Sequence, residues 1–341
     1  MDNTHVVFNI DNNLGYFSLL KKEIHWMAAG AGFTGGRLGE VDIVVSEMAS
    51  NLMKHSGKGG EILVRALSDP KPGIELICID SGRGMTDVLQ FQKDGFSTTK
   101  TLGQGLGAIT RLCNFSEIYS MPDWGTIVLG RMYCEEDTMY IAPPKMTVGW
   151  VKVSKPGEKV CGDGVWIEEN KNHFSMLVAD GLGHGEHARN AVIAAETTFS
   201  LSKSHLPNDM IRDLHAGIKK TRGIVGTVLI LDKTLRKWML CGVGNIATRL
   251  LFPTGSKACI SYNGIIGLNI PKTMNNQELP LENNQLFILC SDGIKTRWDL
   301  AKYPGIQKYD ATMIAAVLYK DHARMTDDML SVVVKTSMMN V

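Results

Sequence analysis

Ile77-Cys-Ile-Asp-Ser-Gly-Arg-Gly84 is the stretch on which the reading of the first half turns. An apolar run ends in a carboxylate at Asp80, and Gly82 and Gly84 follow with one residue between them. A strand that ends this way sets an acceptor at the rim of a sheet. The two glycines let the backbone approach a flat ligand closely. Asp-Ser-Gly also suits an ordinary turn after a strand, so its neighbours must decide. Upstream, Glu47, Asn51 and His55 are four apart, which stacks them on one face of a helix. Downstream, Gly103-Gln-Gly-Leu-Gly107 opens a further predicted helix, where free amides and the helix dipole favour phosphate.

Each motif alone is weak, and a solvated helix face would also carry Glu, Asn and His. The three in this order, on helix, strand and loop, point to an ATP site. Asn51 offers a neutral oxygen suited to Mg²⁺ already carried by ATP phosphates. Glu47, one turn earlier, is placed to polarise the proton of an attacking hydroxyl. Asp80 would accept from the adenine amino group. Phe96-Ser-Thr-Thr-Lys100 would form a compact lid, with Lys100 in reach of the γ-phosphate or simply solvated. No G-x-x-x-x-G-K-[ST] occurs, which excludes a P-loop NTPase. No helical hairpin with a phosphoacceptor histidine is visible either.

The second half carries a different constellation. Asp163 lies in Gly-Asp, Asp180 in Asp-Gly-Leu-Gly-His-Gly185, Asp292 in Ser-Asp-Gly, and Asp327-Asp328 form a pair. Asp180 and Asp292 follow the apolar runs Phe174–Ala179 and Leu286–Cys290, read as strands. Any one of them fits a strand end or turn. Four carboxylates at strand ends can converge on one edge of a β-sandwich, where hard oxygens select Mg²⁺ or Mn²⁺ over zinc. The Gly181 carbonyl could complete the sphere. Two such ions activate a shared water and clamp a phosphoryl group without a Ser or Cys nucleophile. His184 and His187 have no further His or Cys ligands nearby for zinc, and read as the start of a helix.

These motifs carry a family resemblance over almost the whole chain. Residues 1–135 resemble the GHKL ATPase/kinase fold, and within it the RsbT-like and SpoIIAB-like anti-sigma-factor serine kinases. That implies Glu47 as catalytic base, Asn51 as magnesium ligand and Asp80 as the adenine-binding aspartate. It also implies Gly103, Gly105 and Gly107 as the phosphate loop, and Thr126 as the polar residue behind adenine. Residues 147–341 resemble the SpoIIE/RsbX branch of the PPM (type 2C-like) serine/threonine phosphatases. The ligands implied there are Asp163, Asp180, Gly181, Asp292 and Asp327, holding two Mn²⁺ or Mg²⁺. Asp327 is chosen over Asp328 as the first acid of the pair; Leu330 stands where that family commonly has Thr.

The expected fold is therefore α/β (α+β). A GHKL (Bergerat) two-layer sandwich is followed by a linker over residues 136–146 and a PPM-type α-β-β-α sandwich. The resemblance implies a bifunctional partner-switching regulator, a kinase using ATP and Mg²⁺ joined to a metal-dependent phosphatase. Its partners would be STAS-domain phosphoproteins of the anti-sigma antagonist or stressosome scaffold type. The alternative is a phosphatase governed by a nucleotide-dependent module that only sequesters a partner; retained Glu47 speaks against it.

Composition agrees. The chain has 341 residues, enough for roughly two domains, with 44% hydrophobic and 21% charged residues. A net charge of +1 gives no cationic excess for nucleic acid. No apolar run approaches the roughly 20 residues that span a bilayer, so no membrane role is expected. No basic segment precedes an apolar core at the N-terminus, which reads as cytoplasmic. Seven scattered cysteines, none in a C-x-x-C pair, fit reduced thiols.

Overall fold

The computed structural model describes residues 3–10, 14–57, 59–68, 71–88, 105–135, 146–252 and 255–337. Fifteen strands and six α-helices lie among them. They fall into two compact units. The first is Met1–Ala142 with Tyr303–Met313, the second Pro143–Lys302 with Ile314–Val341. The lid over 96–100 with Lys100, Gly103 and nearly all of the expected linker lie outside the described residues.

In the first unit, β1 (Val6–Ile10), β2 (Gly60–Leu67), β3 (Gly73–Asp80), β4 (Phe115–Met121) and β5 (Gly125–Tyr133) form one antiparallel sheet, ordered β1-β2-β3-β5-β4. Three helices, α1 (Leu14–Gly30), α2 (Gly35–His55) and α3 (Gly105–Leu112), pack in a shared core with one face of the sheet. On α2 the buried stripe is Val41, Val44, Val45, Met48, Ala49 and Leu52. The apolar pattern also suggests Ile43 for this stripe, but Ile43 is exposed. At about 100° per residue it sits some 200° from Val41 and from Val45, on the outer face. α2 begins at Gly35, before the apolar periodicity starts. Gly35, Gly36 and Gly39 are poor helix formers and leave no pattern to read there.

The first unit also holds a buried charge network. Glu75 is fully buried, and its two carboxylate oxygens accept from Arg65 Nε and Arg131 Nε, each at 2.6 Å. Burial alone opposes its charge. Arg65 and Arg131, with His5 3.4 Å away, outweigh this and hold its carboxyl well below the usual range. The other arm of the Arg131 guanidinium donates to both Asp310 oxygens, at 2.7 and 3.0 Å, and to Thr312 Oγ1 at 2.8 Å. These contacts accompany the grouping of residues 303–313 with this unit.

The second unit is built on two antiparallel five-stranded sheets. One, ordered β13-β10-β9-β8-β7, contains β7 (Asp163–Glu169), β8 (His173–Gly181), β9 (Ile224–Asp232), β10 (Lys237–Val243) and β13 (Gln277–Pro280). The other, ordered β12-β11-β14-β15-β6, contains β6 (Met146–Val153), β11 (Ala247–Phe252), β12 (Gly255–Cys259), β14 (Leu286–Cys290) and β15 (Met329–Thr336). Alternation along the strands divides their side chains. Met176, Val178, Leu229, Trp238 and Leu240 share a core with Phe287, Leu289, Leu330 and Val332 of the other sheet. Leu177 and Ala179 face Ala191, Ala195, Phe199 and Leu214 on α4 (Glu186–Leu201) and α5 (Pro207–Gly217). On the far side, Ser331 Oγ donates to the Ala315 carbonyl of α6 (Ala311–His322). The result is the α-β-β-α layering expected from the sequence. The short strands β12 and β13 are not visible in the sequence, because Gly255-Ser-Lys-Ala-Cys and Gln277-Glu-Leu-Pro are edge segments with little apolar alternation.

Among the described residues no helix is long and apolar enough to cross a membrane. All seven cysteines are free thiols, five of them buried.

Candidate functional site

The first unit gathers its polar motif residues where α2 meets the start of α3. A Cβ added at Gly105 would lie 2.8 Å from Glu47 Oε2 and 3.5 Å from Asn51 Oδ1. Both side chains therefore face the first residue of α3, where a larger residue would displace the Glu47 carboxylate. Gly107 is buried one half-turn on.

Asp80, at the end of β3, borders the other end of α2. Its Oδ1 accepts the Gly82 amide at 2.7 Å, so one oxygen closes the turn that follows. A side chain at Gly82 would meet the His55 carbonyl at 2.4 Å, and one at Gly125 the Asp80 carbonyl at 2.2 Å. Gly84 has φ +64° and lies against the Met121 carbonyl, so no other residue fits that turn. Thr126, nearly buried beside Gly125, shares a 3.0 Å hydrogen bond with Ser120 Oγ. Asp80, Gly82, Gly84 and Thr126 thus lie together at the ends of β3 and β5, and Glu47 and Asn51 on α2 face Gly105 at the start of α3. Burial and Lys54 lower the His55 pKa, and Asp80 works against them.

The second unit assembles its carboxylates from four chain segments. Asp163 opens β7 and pairs directly with Asp180 near the end of β8. Like charges facing each other across strands are unfavourable unless something compensates them. Asp163 is fully buried. Its Oδ2 accepts from Ser291 Oγ at 2.8 Å, and its Oδ1 has no partner among the described residues. Ser291 Oγ also accepts the Leu330 amide at 3.0 Å, so one hydroxyl ties β7 to the ends of β14 and β15. Burial, then the charge of Asp180, pushes the Asp163 carboxyl well above its ordinary range. Burial, then Asp292, Asp327 and Asp328, pushes Asp180 up to about 8.

The paired acids near residue 327 divide their work. Asp328 is buried and accepts the amides of Lys155 and Gly162, each at 2.8 Å. Asp327 is more exposed, and its Oδ1 accepts the Asp328 amide at 2.9 Å. Asn245, on the turn before β11, donates to Asp292 Oδ2 at 3.1 Å. A Cβ at Gly181 would meet the Ala188 carbonyl at 2.4 Å, which explains the glycine after Asp180.

A divalent cation suits this donor set. All the charged donors are hard oxygens, the charge is uncompensated, and the Asp163 Oδ1 atom is orphaned in the interior. Among the described residues no group of three or more His, Cys, Asp or Glu side chains converges tightly enough to hold an ion by itself. Ligation would therefore need small side-chain rotations, backbone oxygens such as that of Gly181, and water.

Several contributors carry no sequence signal of their own. The Ser291 bridge, the Asn245 donor and the Glu158–His184 pair, with Nδ1 and Oε1 2.6 Å apart, depend on residues distant in the chain. Gly103 and Lys100 lie outside the described residues.

This architecture defines a class: a GHKL-type ATPase domain followed by a chain segment with the PPM phosphatase fold. Residues 12–129 match the family described as the histidine kinase-like ATPase domain. One relative is the serine/threonine-protein kinase RsbT of Bacillus subtilis (strain 168). It is 33% identical over 86 residues, covering 25% of this chain and 65% of that kinase. Another is the phosphoserine phosphatase RsbX of the same organism, 24% identical over 144 residues, covering 42% of this chain and 72% of that phosphatase. Among solved structures, RsbX in complex with magnesium aligns with a TM-score of 0.51 and 22% identity, over 60% of this chain and 98% of that one. A chain from work described as "The bacterial stressosome: a modular system that has been adapted to control secondary messenger signaling" aligns with a TM-score of 0.52 and 26% identity. That alignment covers 56% of this chain and all of the other.

Proposed function

We propose that this chain is a bifunctional partner-switching regulator. Its first half transfers phosphate from ATP to Ser or Thr of a STAS-domain protein, and its second half removes phosphate from phosphoserine or phosphothreonine of such proteins in the cytoplasm. The uncompensated carboxylate cluster around Asp163 and Asp180 carries the phosphatase half. It has the charge of a divalent-metal site, and among the described residues only burial and neighbouring carboxylates, with the Ser291 hydrogen bond, bear on its protonation. Glu47 facing Gly105 beside Asn51 supports the kinase half.

In the kinase half, Glu47 would take the proton of the acceptor hydroxyl, Asn51 would hold Mg²⁺, and Asp80 would accept from the adenine amino group. The phosphate loop of Gly103, Gly105 and Gly107 would bind the phosphates through its amides, and Thr126 would lie behind adenine. In the phosphatase half Asp163, Asp180, Gly181, Asp292 and Asp327 would hold two Mn²⁺ or Mg²⁺. Asp327 is preferred because both oxygens of Asp328 already accept backbone amides. The bound ions would supply an activated water and a clamp for the phosphoryl oxygens. The chain's own part is to position them: Ser291 orients Asp163, and Asn245 orients Asp292.

The test uses radiolabelled ATP and a STAS-domain protein. The wild-type chain should transfer label with Mg²⁺. Glu47→Ala should transfer about 10³-fold more slowly while still binding ATP. The labelled product should lose its phosphate with Mn²⁺ and keep it in chelator. ATP binding without any transfer would leave the first half as a sequestering module. Label loss that persists in chelator would remove the metal-dependent reading.

A further inference from the structure

We propose that residues 296–321 form a regulatory strap, through which the cation state of the carboxylate cluster and the nucleotide affinity of the first half govern each other. The inference rests on the two-site reading above. The base of the strap is pinned. The Lys295 amide donates to the His322 carbonyl and the Arg324 amide to the Gly293 carbonyl, both at 2.8 Å, around an antiparallel bridge between Ile294 and Ala323. Asp292 lies immediately before one side of this base, and Asp327 three residues after the other. A side chain at Gly293 would collide with the Asp328 carbonyl, so the base packs directly on the paired acids. Both sides of the base are therefore loaded at once when Asp292 and Asp327 take a cation.

The tip of the strap, Tyr303–Met313, belongs to the first unit. Charge holds it at one point. Asp310 grips the Arg131 guanidinium through both oxygens, at 2.7 and 3.0 Å, and its own amide donates to Glu117 Oε2 at 2.8 Å. The same carboxylate caps α6, with Oδ1 accepting the Thr312 amide at 2.8 Å. Rings hold the tip at a second point. Tyr309 meets Tyr119 edge-on with centroids 5.2 Å apart, and Tyr303 meets Trp124 at 5.9 Å. The Tyr119 hydroxyl donates to the Pro304 carbonyl at 3.3 Å. Tyr303 and Ile306 are buried, so the tip is packed and not a solvated loop.

The strands under the tip carry the nucleotide residues. Consecutive strand residues point to opposite faces, so Tyr119 meets the strap while Ser120 turns the other way. Ser120 Oγ shares a 3.0 Å hydrogen bond with Thr126 Oγ1 and accepts the Met85 amide at 2.8 Å. These are the residue expected behind adenine and the residue after Gly84. Further along the sheet Arg131 pairs with Glu75 across β5 and β3, and β3 ends in Asp80. A docked tip thus braces the strands that bear Thr126 and Asp80, and a released tip does not. Docked and released tips are the two states that both sites bias, and linkage makes the effect reciprocal.

The test uses the full chain with Mn²⁺ in excess over nucleotide. A non-hydrolysable ATP analogue should change kcat/KM for p-nitrophenyl phosphate about fivefold in the wild-type chain. Asp310→Asn keeps an oxygen to cap α6 but loses the charge that grips Arg131, and should reduce that change to less than about twofold. Tyr309→Ala leaves Asp310 in place, removes the ring on Tyr119 and should give an intermediate change. Calorimetric titration of the analogue supplies the reciprocal measurement. Asp163→Asn should shift analogue affinity about fivefold by itself and less than about twofold alongside Asp310→Asn. A wild-type chain in which hydrolysis and analogue binding ignore each other would overturn the strap. Coupling that survives both strap variants at full size would overturn it as well. A chain that hydrolyses nothing would overturn the phosphatase reading alone, because the calorimetric comparison still decides the strap. A chain that binds no analogue would overturn the strap together with the ATP site.

Discussion

Glu75 in the first unit and Asp163 in the second are both fully buried carboxylates, and they are opposites. Glu75 sits between Arg65 and Arg131, with both oxygens bonded and its carboxyl held far below the usual range. Asp163 sits beside Asp180, with one oxygen orphaned and its carboxyl pushed far above it. Burial alone therefore marks no site. Burial without compensation does, because the fold bears a cost that a proton or a bound cation must remove. The same contrast separates the two candidate sites. The first uses glycine backbone and the uncharged Asn51 beside a single Glu47, whereas the second concentrates negative charge.

The largest expected effect comes from removing the uncompensated charge. Asp163→Asn should lower phosphatase activity about 10⁴-fold, roughly 5 kcal/mol in barrier height. The same variant should melt at a higher temperature than wild type in chelator, since one of two facing buried charges is gone. Hydrolysis rates and thermal denaturation check both signs. A variant less stable than wild type in chelator would make Asp163 structural, like Glu75.

Glu75→Gln should do the reverse. It leaves Arg65 and Arg131 buried beside a neutral amide and should cost about 3 kcal/mol of stability. Phosphatase rates should hold at temperatures where the variant is folded. Denaturant unfolding measures the first effect and hydrolysis assays the second. A loss below about 0.5 kcal/mol would mean that the network is not the compensated site described above.

The smallest expected effect is in the pH dependence of metal-free stability. Asp163 and Asp180 have raised folded pKa values, Asp180 at about 8. Between the ordinary Asp value near 4 and about 8, the folded state binds more protons than the unfolded one. Stability in chelator should therefore fall as pH rises through that window. Glu75, shifted downward, contributes stability above about pH 4.3 and loses it only in stronger acid, so it is silent here. Mn²⁺ at about 100 times its Kd should restore about 2.7 kcal/mol at neutral pH and less at pH 5.5. Thermal scans at both pH values, with and without Mn²⁺, check this. Stability that rises with pH in chelator would reverse the assignment of the cluster.

Much of the fold was legible because its signals are local. The apolar runs Phe174–Ala179 and Leu286–Cys290 need no partner to be read, and neither do the α2 stripe and the glycines flanking Asp80 and Asp180. Ile43 was misplaced on α2 because an apolar side chain beside a stripe looks the same whether or not the helix turns it inward. β12 and β13 were missed because edge strands with exposed side chains lack alternation. The division of labour between Asp327 and Asp328 was not readable either, since it depends on amides at residues 155 and 162.

The sequence by itself determined the order of the elements, the acids at strand ends and the glycines that keep Glu47, Asn51 and Asp80 uncovered. These follow from residue type, spacing and backbone freedom. Only the tertiary structure decided which charges are compensated. It set Arg131 between Glu75 and Asp310, left Asp163 Oδ1 unpartnered beside Asp180, and joined His184 to Glu158 across 26 positions. Electrostatic energy depends on distance and burial in space, and neither is written in the separation of residues along the chain.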